Sequence, residues 1–256
     1  WVYGMDKTFV LDAHEAGLFY EGTLNGMAGA ALSGQDADPT DDLTGRAWNF
    51  DGQKFVPRHM ESWPKKWNHW RGCHNSPNFR KVFWEDVDKL VNIGCDAIHV
   101  DDWEMTLAPA GSGRGCFCEA CMELFRTYLK KTQTPERLRE LGIDNVETFD
   151  YRETLKVRYG FEDAADCFAR YRSVFQEDPL AQLFVNAQRM GLRDFYYEFR
   201  KHLDGVSPSK RVAISVNNQF YRQAVDRRFR GYYAVDLVDF FIGEVSQSMQ
   251  DAKHFI

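Results

Sequence analysis

The sequence has little that would suit a nucleic acid, a membrane or a nucleotide. It carries 32 Lys and Arg against 38 Asp and Glu, so there is no basic excess to bind a polyphosphate backbone. No apolar run approaches the roughly 20 residues of a membrane span. Neither a G-x-G-x-x-G motif nor a P-loop occurs. We therefore expect no nucleic-acid or membrane partner, and nothing supports a nucleotide-binding version of a doubly wound sheet.

The sequence begins at Trp1, with neither a Met nor a signal-peptide pattern at its start. We expect that processing has removed the start or that the chain is part of a longer protein. Its 256 residues, 44% of them hydrophobic, are enough to bury the core of one large α/β domain. The composition assigns no cellular compartment and leaves a homo-oligomer open.

Cysteines are few, and their spacing is informative. Of the six in the chain, Cys116, Cys118 and Cys121 form a C-x-C-x-x-C motif. Thiolates are soft ligands that suit Zn²⁺, whereas a disulfide framework is not expected in a chain of this size. A tetrahedral site needs a fourth ligand, for which Cys73 is the first candidate and His74 its rival. Four protein thiolates would leave no open position, which predicts a structural metal.

Helical and strand patterns alternate along the chain. A helix is predicted to end at Gly17, a second to begin at Ser76-Pro77 and end at Gly94, and a third to cover residues 119–131. Residues 134–206 are mostly helical, with a break at 178–179. The predicted strands occupy residues 18–23, 95–100, 211–216 and part of 235–242.

Strands that alternate with helices favour parallel pairing. We therefore predict the α/β class and, within it, a TIM (β/α)8 barrel as a single domain over residues 1–256. About four strands are convincing and a barrel needs eight, so we expect an incomplete barrel, truncated at both ends. A doubly wound open sheet is the alternative. Residues 26–76 form a long loop excursion, which is often functional.

Polar residues gather where the predicted strands end, which is the active face of a (β/α)8 barrel. Glycoside hydrolysis needs two carboxyl groups, and acids at this face are well placed for it. Glu104 and Asp102 are the candidate proton donors, and Glu244 is their candidate partner. Sugar hydroxyls would be bound by a further group of side chains: Asp101, Arg71, Asn217, Asn218, Trp103 and Glu21. His99 is predicted to alternate away from this site as a core histidine.

Aromatic residues are abundant, with 20 Phe, 11 Tyr and 7 Trp. They can form an aromatic core or provide flat surfaces on which sugar rings stack. The cluster of Trp63, Trp67 and Trp70 with His59 and His69 lies in a polar stretch, which favours the second role there.

Three segments resemble the family 42 glycoside hydrolases, which are β-galactosidase-type (β/α)8 barrels. The run RGCHNSP at residues 71–77 is similar to a loop after the third strand of that family, and VDDWE at 100–104 takes the place of its Asp-Asn-Glu after strand four. The run CFCEAC at 116–121, followed by FRTYL at 125–129, resembles its cysteine motif and Phe-Arg helix. The resemblance covers roughly residues 9–245. It implies one zinc ion on Cys73, Cys116, Cys118 and Cys121.

The same comparison shows where this chain departs from that family. The family's general acid/base follows the Asn directly, whereas here Asp102 precedes Trp103 and the next acid is Glu104. Either carboxylate can therefore take that role. The resemblance also implies that the nucleophile comes from strand seven, which would lie beyond Ile256, and that Glu244 contacts substrate.

The leading hypothesis from the sequence is a zinc-stabilised glycoside hydrolase that acts on an oligo- or polysaccharide through two carboxylates, with retention. The alternative is a non-catalytic carbohydrate-binding or scaffold protein on a degenerate barrel. A third reading is an α-glycosidase-type barrel with Asp101 or Asp102 as its nucleophile. The sugar and the linkage are not fixed by the sequence.

Overall fold

The first helix and strand follow directly from local sequence signals. The structure is a computed structural model that describes residues 5–25, 45–56, 71–217 and 231–242. Helix α1, Lys7–Glu15, begins after Asp6, whose side chain accepts a hydrogen bond from the backbone N–H of Thr8. It ends where Gly17 takes a positive φ of 72°. The predicted stop of this helix is thereby confirmed.

Within the described residues the strands form one parallel sheet of four strands, ordered as they occur in the chain. The strands are β1 Glu21–Asn25, β2 Ala97–Asp101, β3 Ala213–Asn217 and β4 Phe240–Ile242. The predicted α/β class and parallel pairing are confirmed.

The two faces of the sheet differ in chemistry because successive strand residues point to opposite sides. One face carries Leu24, Ile98, Val100, Ile214 and Val216, all of which lie in the same buried apolar cluster. Helix α2, Pro77–Ile93, packs on this face so closely that a Cβ added to Gly22 would lie 2.5 Å from Leu90. The opposite face is polar along β1, β2 and β3.

The remaining helices form a second apolar cluster beside the sheet. They are α3 Leu107–Ser112, α4 Glu119–Thr132, α5 Pro135–Glu140, α6 Tyr151–Tyr159, α7 Ala164–Glu177 and α8 Pro179–Val206, and a 3-10 helix, Gly231–Leu237, precedes β4. Asp178 caps α8 through its side chain, which confirms the break expected there.

Helix α8 joins the two clusters. Its 28 residues span about 42 Å. Phe184 near its start stacks on Phe117 and packs against Tyr151. Phe195 and Phe199 farther along lie in the cluster under the sheet. A single rigid element therefore fixes the cysteine-bearing helices relative to the strands.

Two predicted strands differ from the observed ones. β1 starts at Glu21 instead of residue 18, because the backbone N–H of Leu18 bonds the carbonyl of Ala13 and so completes the cap of α1. Leu18 and Phe19 are 62% and 89% exposed. Most of residues 235–242 precede β4, which has only three residues. Glu21 consequently stands at the amino end of its strand, not after it.

No helix within the described parts of the chain combines the length and apolar character needed to cross a bilayer. The predicted residues Asn218, Glu244, Trp63, Trp67, Trp70, His59 and His69 lie outside the described residues.

Candidate functional site

Four buried thiols meet between α2, α4 and α8. Cys73 precedes α2, Cys116 and Cys118 precede α4, and Cys121 lies in the first turn of α4. Their four sulfur atoms all lie within 4.8 Å of one another. All four side chains are at most 2% exposed, and none forms a disulfide. Residues 45 positions apart in sequence are thus brought into one cluster.

The geometry of this cluster fits a metal ion. The sulfur of Cys73 lies 3.4 Å from that of Cys121 and 3.5 Å from that of Cys118. A tetrahedral ion with metal–sulfur bonds of about 2.3 Å would hold its sulfur ligands about 3.8 Å apart. Small shifts of these side chains would therefore complete such a site. Among the described residues the group consists of four soft sulfur donors, which suits a metal that prefers thiolate ligands.

Neighbouring N–H groups already favour a thiolate here. The backbone N–H of Trp48 points at the sulfur of Cys116 at 3.4 Å, and the side-chain amide of Asn75 donates to Cys121 at 3.3 Å. Burial opposes ionisation of Cys121, but hydrogen bonds from the other three cysteines and Asn75 hold its pKa well below the usual value. Burial raises the pKa of Cys73. A metal would have to displace protons from such thiols.

His74, the rival ligand, does not take the fourth position. Its Nδ1 accepts a hydrogen bond from the backbone N–H of Thr106 at 3.5 Å and lies 2.9 Å from the hydroxyl oxygen of the same residue. Burial lowers the pKa of His74 to about 3, so the imidazole is neutral. Cys73 supplies the fourth donor instead.

Gln188 of α8 is a neighbour of the thiol cluster, and it was not predicted from the sequence. Its Oε1 accepts from the amide of Asn75 at 3.0 Å and from the hydroxyl of Thr106 at 3.4 Å, and it lies 3.7 Å from the sulfur of Cys121. Gln188 is fully buried among apolar residues of α8. A lone amide on the apolar face of a helix was the signal that could have identified it.

The carboxyl ends of β2 and β3 carry a hydrogen-bonded polar pair. The side-chain amide of Asn217 donates to Oδ1 of Asp101 at 2.6 Å, and the same oxygen accepts from the backbone N–H of Asp102 at 2.8 Å. Asn25 at the end of β1 stands opposite Asp101 in register. The predicted strand-end residues of these strands are therefore adjacent.

The turn after β2 is strained and faces an arginine. Asp102 and Met105 adopt positive φ angles of 50° and 45°. Residues other than glycine seldom occupy this region of backbone conformation. Arg71 lies beside this turn, with Nη2 3.8 Å from the carboxylate of Asp102. Burial lowers the pKa of Arg71, and Asp102, Glu104 and Asp101 oppose that shift. The side chain of Asp102 is 24% exposed, whereas Glu104 is 5% exposed.

Trp103 lies in the core rather than at a surface where substrate could bind. It is 2% exposed, and its ring packs edge-on against Tyr196 and Phe241. The hydroxyl of Tyr196 donates to the carbonyl of Trp103 at 3.2 Å. Packing of the turn against α8 accounts for this position, so the predicted substrate contact is not supported by where the indole lies.

His99 is fully buried and hydrogen-bonded, which confirms the prediction of a core histidine, but the prediction that it alternates away from the polar edge was wrong. His99 precedes Asp101 by two residues, and strand residues two apart share a face. Its Nδ1 lies 2.8 Å from the hydroxyl of Ser215, which donates to the carboxylate of Glu21. Glu21 is the first residue of β1 and Asp101 is the last residue of β2, so the two lie at opposite ends of the parallel strands. Because strand residues two apart share a face, counting back two positions from Asp101 and Asn217 would have placed His99 and Ser215 on the polar face.

No protein-family model matches this chain, and no curated protein matches it significantly. The geometry of the site is therefore the main guide to its chemistry.

Proposed function

We propose that this protein is a divergent glycoside hydrolase that cleaves O-glycosidic bonds with two carboxylates. The observation that carries the proposal is the hydrogen-bonded pair of Asp101 and Asn217 at the carboxyl ends of adjacent parallel strands. Asp102 and Arg71 lie directly beside that pair. Carboxylates and amides at this edge match what a sugar ring and its leaving group require.

The sheet is proposed to be part of a (β/α)8 barrel. Its strands are in sequential order, whereas a doubly wound sheet reverses its strand order at a switch point. One face is apolar and packs on α2, as the outside of a barrel does, and the other carries polar residues, as the inside near an active site does. Both features favour the barrel over the open sheet.

Asp102 is the better proton donor of the two candidates in this turn. Its side chain is partly exposed whereas Glu104 is buried, so a glycosidic oxygen has better access to Asp102. Arg71 lies 3.8 Å from Asp102 and would favour its ionised form, the state in which the same carboxylate acts as general base in the second step of a retaining reaction. Asp101, Asn217 and Asn218 would bind sugar hydroxyls. The second carboxylate would be Glu244.

Zinc is the proposed metal of the thiolate centre. Cys73, Cys116, Cys118 and Cys121 would hold it, since four thiolates are a usual donor set for structural zinc. When bound, the ion would supply cross-linking and no catalysis, because no coordination position would be open to water.

The test is hydrolysis of a panel of aryl β- and α-glycosides by the purified protein, followed by NMR of the first-formed anomer. Turnover that is lost in Asp102→Asn or Glu104→Gln but kept in the exposed control Asp144→Asn would support the proposal. Unchanged rates in both site variants would remove the assignment of the acid.

A non-catalytic carbohydrate-binding protein is the second candidate. The burial of Glu104, which is 5% exposed, favours it, because a catalytic acid must reach its substrate. Saccharide binding without turnover, measured by calorimetry on the zinc-loaded protein, would select this candidate.

A further inference from the structure

The thiol cluster is bordered by a side-chain amide that contacts two electron-rich atoms. Nδ2 of Asn75 lies 3.3 Å from the sulfur of Cys121 and 3.0 Å from Oε1 of Gln188 on α8. An amide NH₂ has two protons, so it can donate one to each acceptor. The opposite orientation of the amide would place the oxygen of Asn75 against the sulfur, which is unfavourable once the thiol has lost its proton.

The face of α8 that meets Asn75 fixes where this amide lies. Gln188 and Gly191 are three residues apart and therefore share one face of the helix. A Cβ added to Gly191 would overlap Oδ1 of Asn75 and would lie 2.8 Å from the side chain of Leu124. The glycine thus leaves room for Asn75 against the helix, while the fully buried Gln188 provides the acceptor beside it.

A metal ion bound by the four thiols would need such donors. Four thiolates around a divalent ion carry a net negative charge, and burying that charge is unfavourable unless hydrogen bonds compensate it. N–H groups that point at the sulfurs offset part of this charge. The backbone N–H of Trp48 points at Cys116, and the side-chain amide of Asn75 points at Cys121.

Gln188 acts on the sulfur of Cys121 in a different way. Its Oε1 lies 3.7 Å from that sulfur and accepts from the thiol. A thiolate has no proton to donate, so Gln188 cannot stabilise it directly. Its remaining contribution is to hold the amide of Asn75, with which it forms the shorter contact.

We propose that Asn75 is a positioning residue of the metal centre, held by Gln188 so that its amide donates to the Cys121 thiolate and strengthens metal binding. The inference rests on the proposed zinc centre and not on glycoside hydrolysis. It assigns an effect on metal affinity to two residues that are not metal ligands. Groups that hydrogen-bond to the ligands typically change the affinity for a metal by about ten- to a hundredfold.

The first test observes the hydrogen bond itself. Cadmium is a soft ion that can replace zinc among thiolates. In the protein loaded with ¹¹³Cd²⁺, NMR should detect scalar coupling between the metal and one side-chain amide proton of Asn75, transmitted through the N–H···S contact. The exposed Asn145 is the internal control and should show no coupling. A cadmium-loaded protein without coupling to Asn75 would overturn the donation to Cys121.

The second test measures zinc affinity by competition with a chromophoric chelator. Asn75→Leu and Gln188→Leu should each bind zinc about tenfold more weakly. The sulfur-to-metal charge-transfer band of the cobalt-loaded variants should move to lower energy, because a thiolate that loses its donor is easier to oxidise. The control Gln182→Leu replaces an exposed amide of the same helix and should change neither quantity.

Gly191→Ala covers the case in which Asn75→Leu does not fold. It removes no polar group and crowds the side chain of Asn75, so it should weaken zinc binding and shift the cobalt band in the same direction. Unchanged affinity and spectra in the folded variants, with metal still bound, would overturn the role of Asn75 and leave the zinc centre intact. An unaltered protein that binds neither zinc nor cadmium would refute the zinc centre and the inference together.

Discussion

The guanidinium of Arg71 donates from Nη1 to the carbonyl oxygen of Met105 at 2.5 Å. This bond ties the loop that carries Cys73 to the turn that carries Asp102 and Glu104. Arg71 belongs to the first loop and is 8% exposed, and Met105 belongs to the strained turn. The loop that leads to the thiol cluster and the acidic turn are therefore linked directly through Arg71.

Replacing Arg71 by Lys should destabilise the protein by about 2 kcal/mol, because a lysine cannot reproduce the planar array of donors and would leave a buried carbonyl without its partner. Urea unfolding followed by circular dichroism measures this change. The exposed control Arg139→Lys should leave the midpoint within error. Equal midpoints for Arg71→Lys and the unaltered protein would mean that the bond contributes nothing to stability.

Removing the metal should lower the melting temperature by about 10 °C, since a tightly bound ligand stabilises only the folded state. Metal analysis should give one zinc per chain. Cys121→Ser should lose the ion, whereas Cys167→Ala, a buried thiol outside the cluster, should retain it. Complete removal of zinc by a chelator with no change in melting temperature would contradict a structural role.

Asp102→Asn should lower kcat toward aryl glycosides about a hundredfold or more, because it removes the proposed general acid. The loss should be smaller for substrates with good leaving groups, such as 2,4-dinitrophenyl glycosides, which need little protonation. Glu104→Gln should have the smaller effect because that side chain is more buried. The opposite ranking of the two variants would transfer the acid role to Glu104.

Asp96→Asn should reduce stability at neutral pH by about 2 kcal/mol. Its carboxylate accepts from the backbone N–H of Tyr20 at 2.8 Å and from Lys210 at 2.6 Å, and it contacts His14 at 2.8 Å. Burial raises the pKa of Asp96, but these partners outweigh it and hold the pKa below its usual value.

A lowered pKa in the folded state adds stability that is present above about pH 4 and is lost as the pH falls through the folded value. The difference in unfolding free energy between Asp96→Asn and the unaltered protein should therefore shrink below about pH 4. Unfolding in urea at pH 7 and at pH 3 measures it. A difference that is equal at both pH values would show that the charge of Asp96 is not responsible.

The positions of α2 and α4 could be predicted from the sequence because their signals are local. Pro77 and Gly94 bound one helix, and the cysteine motif directly precedes the other. The start of β1 could not be predicted. Leu18 has the apolar character of a strand residue, but its backbone N–H caps the C-terminal end of α1 instead. An apolar residue is compatible with a strand and with a helix cap, and only its backbone hydrogen bond decides between the two.

The sequence by itself determined the class of fold and the kind of donor set. Hydrophobic patterns typical of strands and of helices alternate along the chain, which predicts parallel strands with helices between them. The C-x-C-x-x-C motif places three soft ligands on one short segment. Tertiary structure decided which distant groups join them. Cys73 rather than His74 completes the thiol cluster, because the imidazole of His74 is in hydrogen-bond contact with Thr106 instead. Glu21, Ser215 and His99 meet only because three strands lie in register, and no local pattern records the register between strands.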